Sequence, residues 1–347
     1  MIGTSSMVDN VDHSGGGMIV TRTPLRVGFF GGGTDLGVFY RNTPGAVLSA
    51  TINRYVHVTV KRHSELFFEP IRINYSTSEQ VNTIDEIKNN IARECLKFLD
   101  IEAPIYISPV GDVPASTGLG GSSAFAVGLL NALHAYKGER ASPGQLAEEA
   151  CHIEISVLGE PIGKQDQFAA AFGGMNLFTF KPDEGVTVEH LTVNGKGVER
   201  ELFDSMLMFW TGHQRDTSAV LTEQSKNTQS KMEQLSAMRD QAVDIHRRFA
   251  ERAIDVRECG DLLDKAWQLK RGLASTITNQ GIDDAYNAGR RAGAYGGKLC
   301  GAGAGGFLMF LAPPDRHDEV RSALSSMVEM RVDFEPQGSR VLSTLVP

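Results

Sequence analysis

The sequence predicts an α+β protein of two domains that pack around one cleft. A chain of 347 residues, of which 41% are hydrophobic and 22% charged, is long enough for two such domains. Its first half mixes β-type segments with helical ones, and its second half is more helical. We expect a flexible arm at residues 1–17, an N-terminal domain at residues 18–200 and a C-terminal domain at residues 201–347.

Strands are predicted where apolar and polar residues alternate, or where an apolar run ends in a glycine-rich turn. Pro24 divides the first β region into two segments. The predicted N-terminal β segments are residues 18–23, 25–30, 46–52, 55–61, 71–75, 105–108 and 173–180. The predicted C-terminal β segments are residues 207–211, 307–311 and 331–334.

Helices are predicted where apolar residues recur at the helical period. Ile84, Ile87 and Ile91 fall on one stripe of the first helix. Ser142 and Pro143 occupy the cap and first position of a later one. The predicted helices are residues 83–99, 125–136, 142–158, 218–252, 262–271 and 315–327.

Composition argues against several classes of protein. A net charge of −8 and a pI near 5.6 disfavour a general nucleic-acid binder, which needs a basic surface. No run approaches the roughly eighteen apolar residues of a membrane helix, and no export signal opens the chain. The four cysteines and nine histidines show no zinc-binding spacing, so we expect a cytoplasmic protein without zinc or disulfides. The sequence leaves a homo-oligomer open.

Residues 114–124 form a glycine-rich loop between a predicted strand and a predicted helix. The segment Pro114-Ala-Ser-Thr-Gly-Leu-Gly-Gly-Ser-Ser-Ala124 combines three glycines with four hydroxyl side chains. Glycines let successive backbone N–H groups turn inward, and a helix start adds donors and the positive end of its dipole. This combination favours binding of a phosphate, although a plain glycine-rich turn is the alternative. The loop matches neither the Gly-x4-Gly-Lys-Ser/Thr motif nor the dinucleotide fingerprint.

Two further glycine-rich segments adjoin strands, Pro24-Leu-Arg-Val-Gly-Phe-Phe-Gly-Gly-Gly-Thr-Asp35 and Gly297-Lys-Leu-Cys-Gly-Ala-Gly-Ala-Gly-Gly306. The three segments, in this order and over nearly the whole chain, resemble the motifs of the GHMP kinase superfamily. The resemblance implies a mixed sheet and helix N-terminal domain and a C-terminal α/β-plait-like domain, with the active site between them. It also implies that the second motif wraps the phosphates of ATP and that the third supports it. The implied phosphate-binding residues are Ser116, Thr117, Gly118, Leu119, Gly120, Gly121, Ser122 and Ser123.

Phosphoryl transfer needs charge neutralisation and an aimed acceptor hydroxyl. By resemblance, Ser122 and Glu154 would hold Mg²⁺, with Ser123 as the alternative hydroxyl ligand. Asp166 would accept or orient the acceptor proton, and Arg26 would lie beside it as the second catalytic residue. Structural alternatives remain for each: a solvated helix carboxylate for Glu154, a helix cap for Asp166 and a cross-strand ion pair for Arg26.

The resemblance assigns Asp35 to the acceptor, and a carboxylate suits that role because its oxygens can accept hydrogen bonds from two sugar hydroxyls. An Asx-turn is its structural alternative. The resemblance extends the acceptor site to a wider group of residues, namely Gly33, Thr34, Gly163, Lys164, Gln165 and Gly303. Galactokinases have Glu-His where this chain has Gly32-Gly33, so the sequence is closer to heptose-phosphate kinases and fucokinases. Ile162 departs from an expected glycine.

A phosphorylated acceptor needs a local basic patch, for which Lys164, Arg215 and Arg22 are candidates, although Lys164 could equally be a surface lysine. Arg215 and His213 follow a predicted strand and could reach the cleft. The resemblance implies ATP- and Mg²⁺-dependent phosphorylation of the C1 hydroxyl of D-glycero-D-manno-heptose 7-phosphate, serving nucleotide-activated heptose synthesis for a surface polysaccharide. The rivals are a kinase for fucose or another neutral sugar, and an inactive sugar or nucleotide sensor on the same fold.

Overall fold

The computed structural model describes residues 17–192, 198–212 and 217–345. Its strands form two sheets, one of eight strands and one of four. The strands are β1 Met18–Phe30, β2 Gly45–Arg62, β3 Ile71–Asn74, β4 Ser78–Val81, β5 Ile105–Gly111, β6 Met175–Phe180, β7 Val186–Leu191, β8 Met206–Trp210, β9 Gly296–Leu299, β10 Phe307–Leu311, β11 Val328–Glu329 and β12 Arg340–Leu345.

The larger sheet has the order β12-β1-β2-β5-β3-β4, with β6 and β7 added beside β2. Only the β3–β5 pair in it is parallel, so the described sheet is mixed, as predicted. The smaller sheet has the order β11-β8-β10-β9 and is antiparallel.

Helices cover both sheets and connect their strands. They are α1 Gly37–Tyr40, α2 Asn90–Phe98, α3 Gly121–Tyr136, α4 Pro143–Cys151, α5 Gln165–Phe172, α6 Val198–Asp204, α7 Thr217–Asn227, α8 Met232–Ala250, α9 Val256–Arg271, α10 Gln280–Arg291 and α11 His317–Ala323. The hydroxyl of Ser142 caps α4 by accepting from Gln145 N, as the sequence predicted. Helix α4 then continues into a π-helix, His152–Val157.

The first strand does not end at Pro24. Strand β1 is continuous, and the missing N–H of Pro24 is absorbed by a shift of register against β2 between Pro24 and Leu25. This strand runs without a break into the glycines at residues 31–33, and it carries Arg26 near its middle.

Other predictions also need correction. The helix predicted at residues 83–99 starts as a 3₁₀ turn, Ile84–Glu86, before α2, and the one at 218–252 divides into α7 and α8. Residues 331–334 form no strand apart from a single bridge at Phe334, because the short partner of β8 lies earlier, at β11. Helix α10 and strand β12 were not predicted. Strand β12 pairs with β1, so the end of the chain returns to the larger sheet.

Helix α3 lies against the larger sheet, and this contact positions the glycine-rich loop that precedes it. The hydroxyl of Thr21 on β1 donates to the carbonyl of Gly128 on α3, at 2.8 Å. Buried side chains of α3, such as Leu129 and Leu133, join the core of that sheet. A second core around Trp267 and Phe310 packs the smaller sheet against α9 and α10.

Candidate active site

The loop at residues 114–120 leads from β5 into α3 and ends on Gly120, whose φ of +77° is left-handed. No side chain caps α3, whose first intrahelical bond runs from Ala124 N to the Gly120 carbonyl at 2.9 Å. The first N–H groups of a helix have no intrahelical partner. They border an open cavity of about 330 Å³, which we call the nucleotide cavity. The loop residues on its wall are Ser116, Thr117, Gly118, Gly120, Gly121, Ser122 and Ser123.

The third glycine-rich segment packs directly on this loop. A Cβ on Gly301 would stand 2.3 Å from Gly118 Cα, and a Cβ on Gly118 would stand 2.5 Å from the Cys300 carbonyl oxygen. Both glycines also have left-handed φ values, +81° for Gly118 and +70° for Gly301. Only glycine permits this close approach, so the third segment fixes the position of the loop at residues 114–120, which we call the phosphate loop.

Arg26 and Asp166 form a bidentate pair beside the loop. Arg26 Nε and Nη2 donate to Asp166 Oδ1 and Oδ2, both at 2.7 Å, and Nη1 donates to the Gly118 carbonyl at 2.6 Å. The Arg26 backbone N–H also donates to the Leu119 carbonyl at 3.1 Å. The guanidinium thus ties the carboxylate to the phosphate loop in a fixed orientation, and the Asp166 side chain keeps 24% exposure toward the cleft.

Glu154 lies on the π-helix, facing the start of α3. Its Oε1 accepts from the Ser122 hydroxyl at 2.6 Å and its Oε2 from Gln167 Nε2 at 2.7 Å. Burial raises the pKa of Glu154, and the charge of Asp166 adds to this, whereas hydrogen bonds from Ser122, Ser123 and Gln167 oppose it. π-Helical turns often occur at functional sites, and this one turns a carboxylate toward the loop.

The oxygen atoms of Ser122 and Glu154 fit a Mg²⁺ ion, which prefers oxygen ligands. The described residues contain no cluster of three or more His, Cys, Asp or Glu side chains that could hold a metal. A bound Mg²⁺ would therefore take its other ligands from phosphate oxygens and water, as is usual at nucleotide sites.

A second, smaller cavity of about 90 Å³ adjoins the first, and we call it the acceptor cavity. The two share a wall formed by Arg26, Asp166, Ile162, Leu221, Gly301 and Ala302. Beyond this wall the acceptor cavity is lined by further residues that the nucleotide cavity does not touch, namely Gly28, Gly32, Gly33, Asp35, Leu36, Gly163, Gln165, Gln224, Lys270 and Lys298. A carboxylate thus stands at the junction of an anion-binding loop and a polar pocket.

Asp35 is held inside the acceptor cavity by backbone and side-chain donors. Its Oδ1 accepts from Gly33 N at 2.9 Å, and its Oδ2 accepts from Gln165 Nε2 at 3.0 Å and Gln165 N at 3.3 Å. A Cβ on Gly163 would lie 2.0 Å from Asp35 Oδ2, so glycine is required there. Burial raises the pKa of Asp35, and the charge of Asp166 raises it further, against the hydrogen bonds from Gly33 and Gln165.

Comparison with known proteins places the chain in a family. Residues 83–174 match the model of the GHMP kinases N terminal domain, and residues 247–329 match that of the GHMP kinases C terminal domain. The chain is 30% identical over 321 residues to the D-glycero-alpha-D-manno-heptose 7-phosphate kinase of Campylobacter jejuni, covering 88% of this chain and 93% of that protein.

The chain belongs to the GHMP kinase family. It is 25% identical to the galactokinase of Pyrococcus furiosus over 88% of this chain and 92% of that protein. It also resembles the crystal structure of a D-glycero-D-manno-heptose 1-phosphate kinase from Bacteroides thetaiotaomicron, with a TM-score of 0.77 at 26% identity, covering 94% of this chain and 99% of that one. The predicted α+β GHMP kinase fold is thereby confirmed, and the chain is a phosphotransferase.

Several residues predicted at the GHMP kinase site lie elsewhere. The Thr34 hydroxyl is buried and bonds the Gly31 and Ala46 carbonyls at 2.8 and 3.0 Å, so it stabilises a turn. The Leu119 side chain is part of the core, and only its carbonyl serves the site. Gly303 packs on Ile277, while its neighbours Gly301 and Ala302 line both cavities.

The predicted basic patch does not form in the described part of the chain. Lys164 donates to the Glu184 carboxylate at 2.6 Å and to its carbonyl at 3.1 Å, outside the acceptor cavity. Arg22 lies over the Tyr55 ring and bonds Glu335 at 3.2 Å. The predictions for His213 and Arg215 lie outside the described residues.

Sequence reasoning missed Lys270, Lys298 and Gln224, which line the acceptor cavity. Lys298 offers a signal, since it is a lysine in the short buried strand β9 and within the third motif. Lys270 is one of two basic residues in the last turn of α9, and nothing in the sequence distinguishes it from Arg271.

Within the described ranges, no helix combines the length and apolar character that a bilayer crossing requires. All four cysteines are buried free thiols.

Proposed function

We propose that the chain is an ATP-dependent sugar kinase that phosphorylates the anomeric C1 hydroxyl of D-glycero-D-manno-heptose 7-phosphate, giving the 1,7-bisphosphate. The observation that carries this proposal is the placement of Asp166 at the wall shared by the nucleotide and acceptor cavities. Similarity over most of the chain to a heptose 7-phosphate kinase supports the choice of sugar.

In this mechanism the phosphate loop and the start of α3 bind the phosphates of ATP. The acceptor hydroxyl lies in the acceptor cavity, with Asp35 and Gln165 holding the sugar hydroxyls. Asp166 takes the proton as the C1 oxygen bonds to the γ-phosphorus, and the bond from that phosphorus to the β–γ bridging oxygen breaks to release ADP. Arg26 keeps Asp166 oriented, and because it lines both cavities we assign it to stabilise the transferred group.

Ser122 and Glu154 would hold Mg²⁺, which supplies charge neutralisation to the phosphates when it is bound. The buried Glu154 carboxylate prefers a neighbouring cation, because burial alone disfavours its charged form. The proposed enzyme acts in the cytoplasm, in nucleotide-activated heptose synthesis for a surface polysaccharide.

The decisive experiment is an assay of ADP release with a panel of acceptors. The panel contains heptose 7-phosphate, the same heptose without its phosphate, fucose, galactose and mevalonate, with ³¹P and ¹³C NMR to identify the phosphorylated carbon. We expect the highest kcat/KM with heptose 7-phosphate and a product phosphorylated at C1. A preference for a neutral sugar would contradict the proposed substrate. If no acceptor gives ADP release, with or without Mg²⁺, a sensor on this fold would be favoured.

A further inference from the structure

Lys270 and Lys298 place two buried ammonium groups in the acceptor cavity. Each side chain belongs to a residue with only 6% exposure, and both line this cavity but not the nucleotide cavity. They come from separate elements, Lys270 from the last turn of α9 and Lys298 from β9. The fold therefore brings these two lysines to the same cavity as Arg26, although both are more than 200 residues from Arg26 in the sequence.

Neither ammonium group forms an ion pair with a carboxylate of the described residues. Lys298 Nζ donates to the carbonyls of Gly28 and Phe29 at 2.7 and 3.1 Å, and Lys270 Nζ donates to the Gly301 carbonyl. Within the described residues no carboxylate lies within 4.0 Å of either nitrogen. An ammonium carries three donors, so these contacts leave two on Lys270 and one on Lys298 for a ligand.

Burying two like charges side by side is unfavourable unless an anion joins them. Burial, assisted by the charge of Arg26, lowers the pKa of Lys270 to about 8, against the opposing effects of Cys300, Asp35 and Asp166. Burial also lowers the pKa of Lys298 well below its usual range, as do the charges of Lys270 and Arg26, against Cys300. If a lysine served only to donate hydrogen bonds to backbone carbonyls, a second cation nearby would not stabilise it.

The charges on the cavity wall leave a positive surplus. Arg26 and Asp166 neutralise each other as a bidentate pair. Asp35 is then the one other carboxylate among the described residues that line this cavity, and its charge acts on Lys270. Two ammonium groups against one carboxylate leave one positive charge for an incoming anion when both lysines are protonated.

We propose that Lys270 and Lys298 form the binding site for the phosphate group of the acceptor. Their absence from the nucleotide cavity assigns the anion to the acceptor rather than to ATP. A phosphate dianion would accept hydrogen bonds from the free N–H donors of both lysines, and its charge would offset the repulsion between the two ammonium groups. A neutral sugar would leave both ammonium groups unpaired, so the pair makes the cavity selective for a phosphorylated acceptor. This inference rests on the proposed function and names the residues that read its substrate class.

The first test compares wild type with Lys270→Met and Lys298→Met, using heptose 7-phosphate and the same heptose without its phosphate. Methionine keeps most of the length of the side chain and removes the charge. Each substitution should raise KM for the phosphorylated acceptor by about tenfold or more, the loss typical of one charged hydrogen bond. KM for ATP should change less than about twofold, and the preference for the phosphorylated sugar should collapse. Lys265→Met, at an exposed position on the same helix, is the matched control and should behave as wild type.

The outcomes separate the two proposals. If wild type does not prefer the phosphorylated acceptor, both the proposed substrate and this inference are wrong. If wild type prefers it and the methionine variants keep that preference, the inference alone is overturned. An equal loss of kcat with both acceptors would also overturn it, because the lysines would then act on the transferred phosphoryl group.

The second test uses wild type alone and does not depend on how the variants fold. Binding of heptose 7-phosphate is measured by calorimetry at pH 8.5, without nucleotide, in buffers of different ionisation enthalpy. An anion raises the pKa of a neighbouring lysine, so binding should take up protons from the buffer. The sugar phosphate itself stays dianionic there, since its second pKa is about 6. Binding without proton uptake would contradict the proposal.

Discussion

The two parallel hydrogen bonds between Arg26 and Asp166 fix a carboxylate plane relative to the phosphate loop. The third guanidinium contact, to the Gly118 carbonyl, connects this pair to the loop. One residue of the first motif thus holds both the proposed base and the loop. At the scale of single residues, the proposed chemistry depends on this arrangement.

Replacing Asp166 with asparagine should lower kcat by about 100-fold or more, the usual contribution of a general base. The amide keeps the volume and one acceptor for Arg26, so we expect the melting temperature to fall by only a few degrees. Kinetics and thermal unfolding of Asp166→Asn measure both effects, with Asp315→Asn as an exposed control. Near-normal turnover would remove Asp166 from the chemistry.

Ser122→Ala should raise the Mg²⁺ concentration needed for half-maximal activity by about tenfold, because the proposed hydroxyl ligand of Mg²⁺ is lost. Ser123→Ala serves as the comparison, since Ser123 is the alternative ligand and lies buried with 2% exposure. Mg²⁺ titrations of both variants at saturating ATP provide the measurement. An unchanged dependence in Ser122→Ala with a shift in Ser123→Ala would move the ligand by one position.

At the scale of elements, the π-helix after α4 and the first turn of α3 bring Glu154 and Ser122 together. The sequence predicted one helix through residues 142–158, with Glu154 on it, but not the wider turn at its end. A π-helix has hydrogen bonds between residues i and i+5, one residue further apart than in an α-helix. Side chains after the π-turn therefore project from a different face than a continuous α-helix would give. Local sequence patterns do not report such a change.

Two glycine substitutions should separate stability from nucleotide binding. A Cβ on Gly121 meets nothing within 4 Å, so Gly121→Ala should leave the free protein as stable or up to about 1 kcal/mol more stable. The same methyl group enters the nucleotide cavity and should raise KM for ATP. Gly301→Ala should both lower the melting temperature and raise KM for ATP, since its Cβ collides with Gly118.

Thermal unfolding without ligand and ATP-dependent kinetics give the two readouts. Gly121→Ala with unchanged KM for ATP would show that the first turn of α3 does not contact the phosphates. A Gly301→Ala protein that keeps its stability and its KM for ATP would contradict the role of the third segment as a support.

At the scale of the whole molecule, strand β12 closes the larger sheet against β1, the strand that carries Arg26. The hydroxyl of Ser339, just before β12, contacts Thr23 on β1 at 2.8 Å and Asn131 on α3 at 3.0 Å. The end of the chain therefore supports the two elements that position the site. The division predicted at residue 200 puts residues 340–345 in the C-terminal domain, although β12 pairs with β1 in the larger sheet.

Deletion of residues 340–347 should expose the edge of β1 and promote aggregation. The melting temperature should fall by several degrees, since 1 kcal/mol shifts it by about 2–4 °C in domains of roughly 150–250 residues. Light scattering and calorimetry measure the two effects, and deletion of residues 346–347 alone is the control. Wild-type melting and solubility in the longer deletion would show that β12 is dispensable.

The sequence by itself determined the phosphate loop, the family and the residues Arg26, Asp35, Glu154 and Asp166 as candidates for the site. These features are local, because glycines, helix starts and motif spacing are written in contiguous residues. Only the tertiary structure decided that Lys270 and Lys298 line the acceptor cavity while Lys164 turns to Glu184. Burial and pairing of a lysine depend on elements that lie far apart in the chain, and no local pattern records which of them will meet.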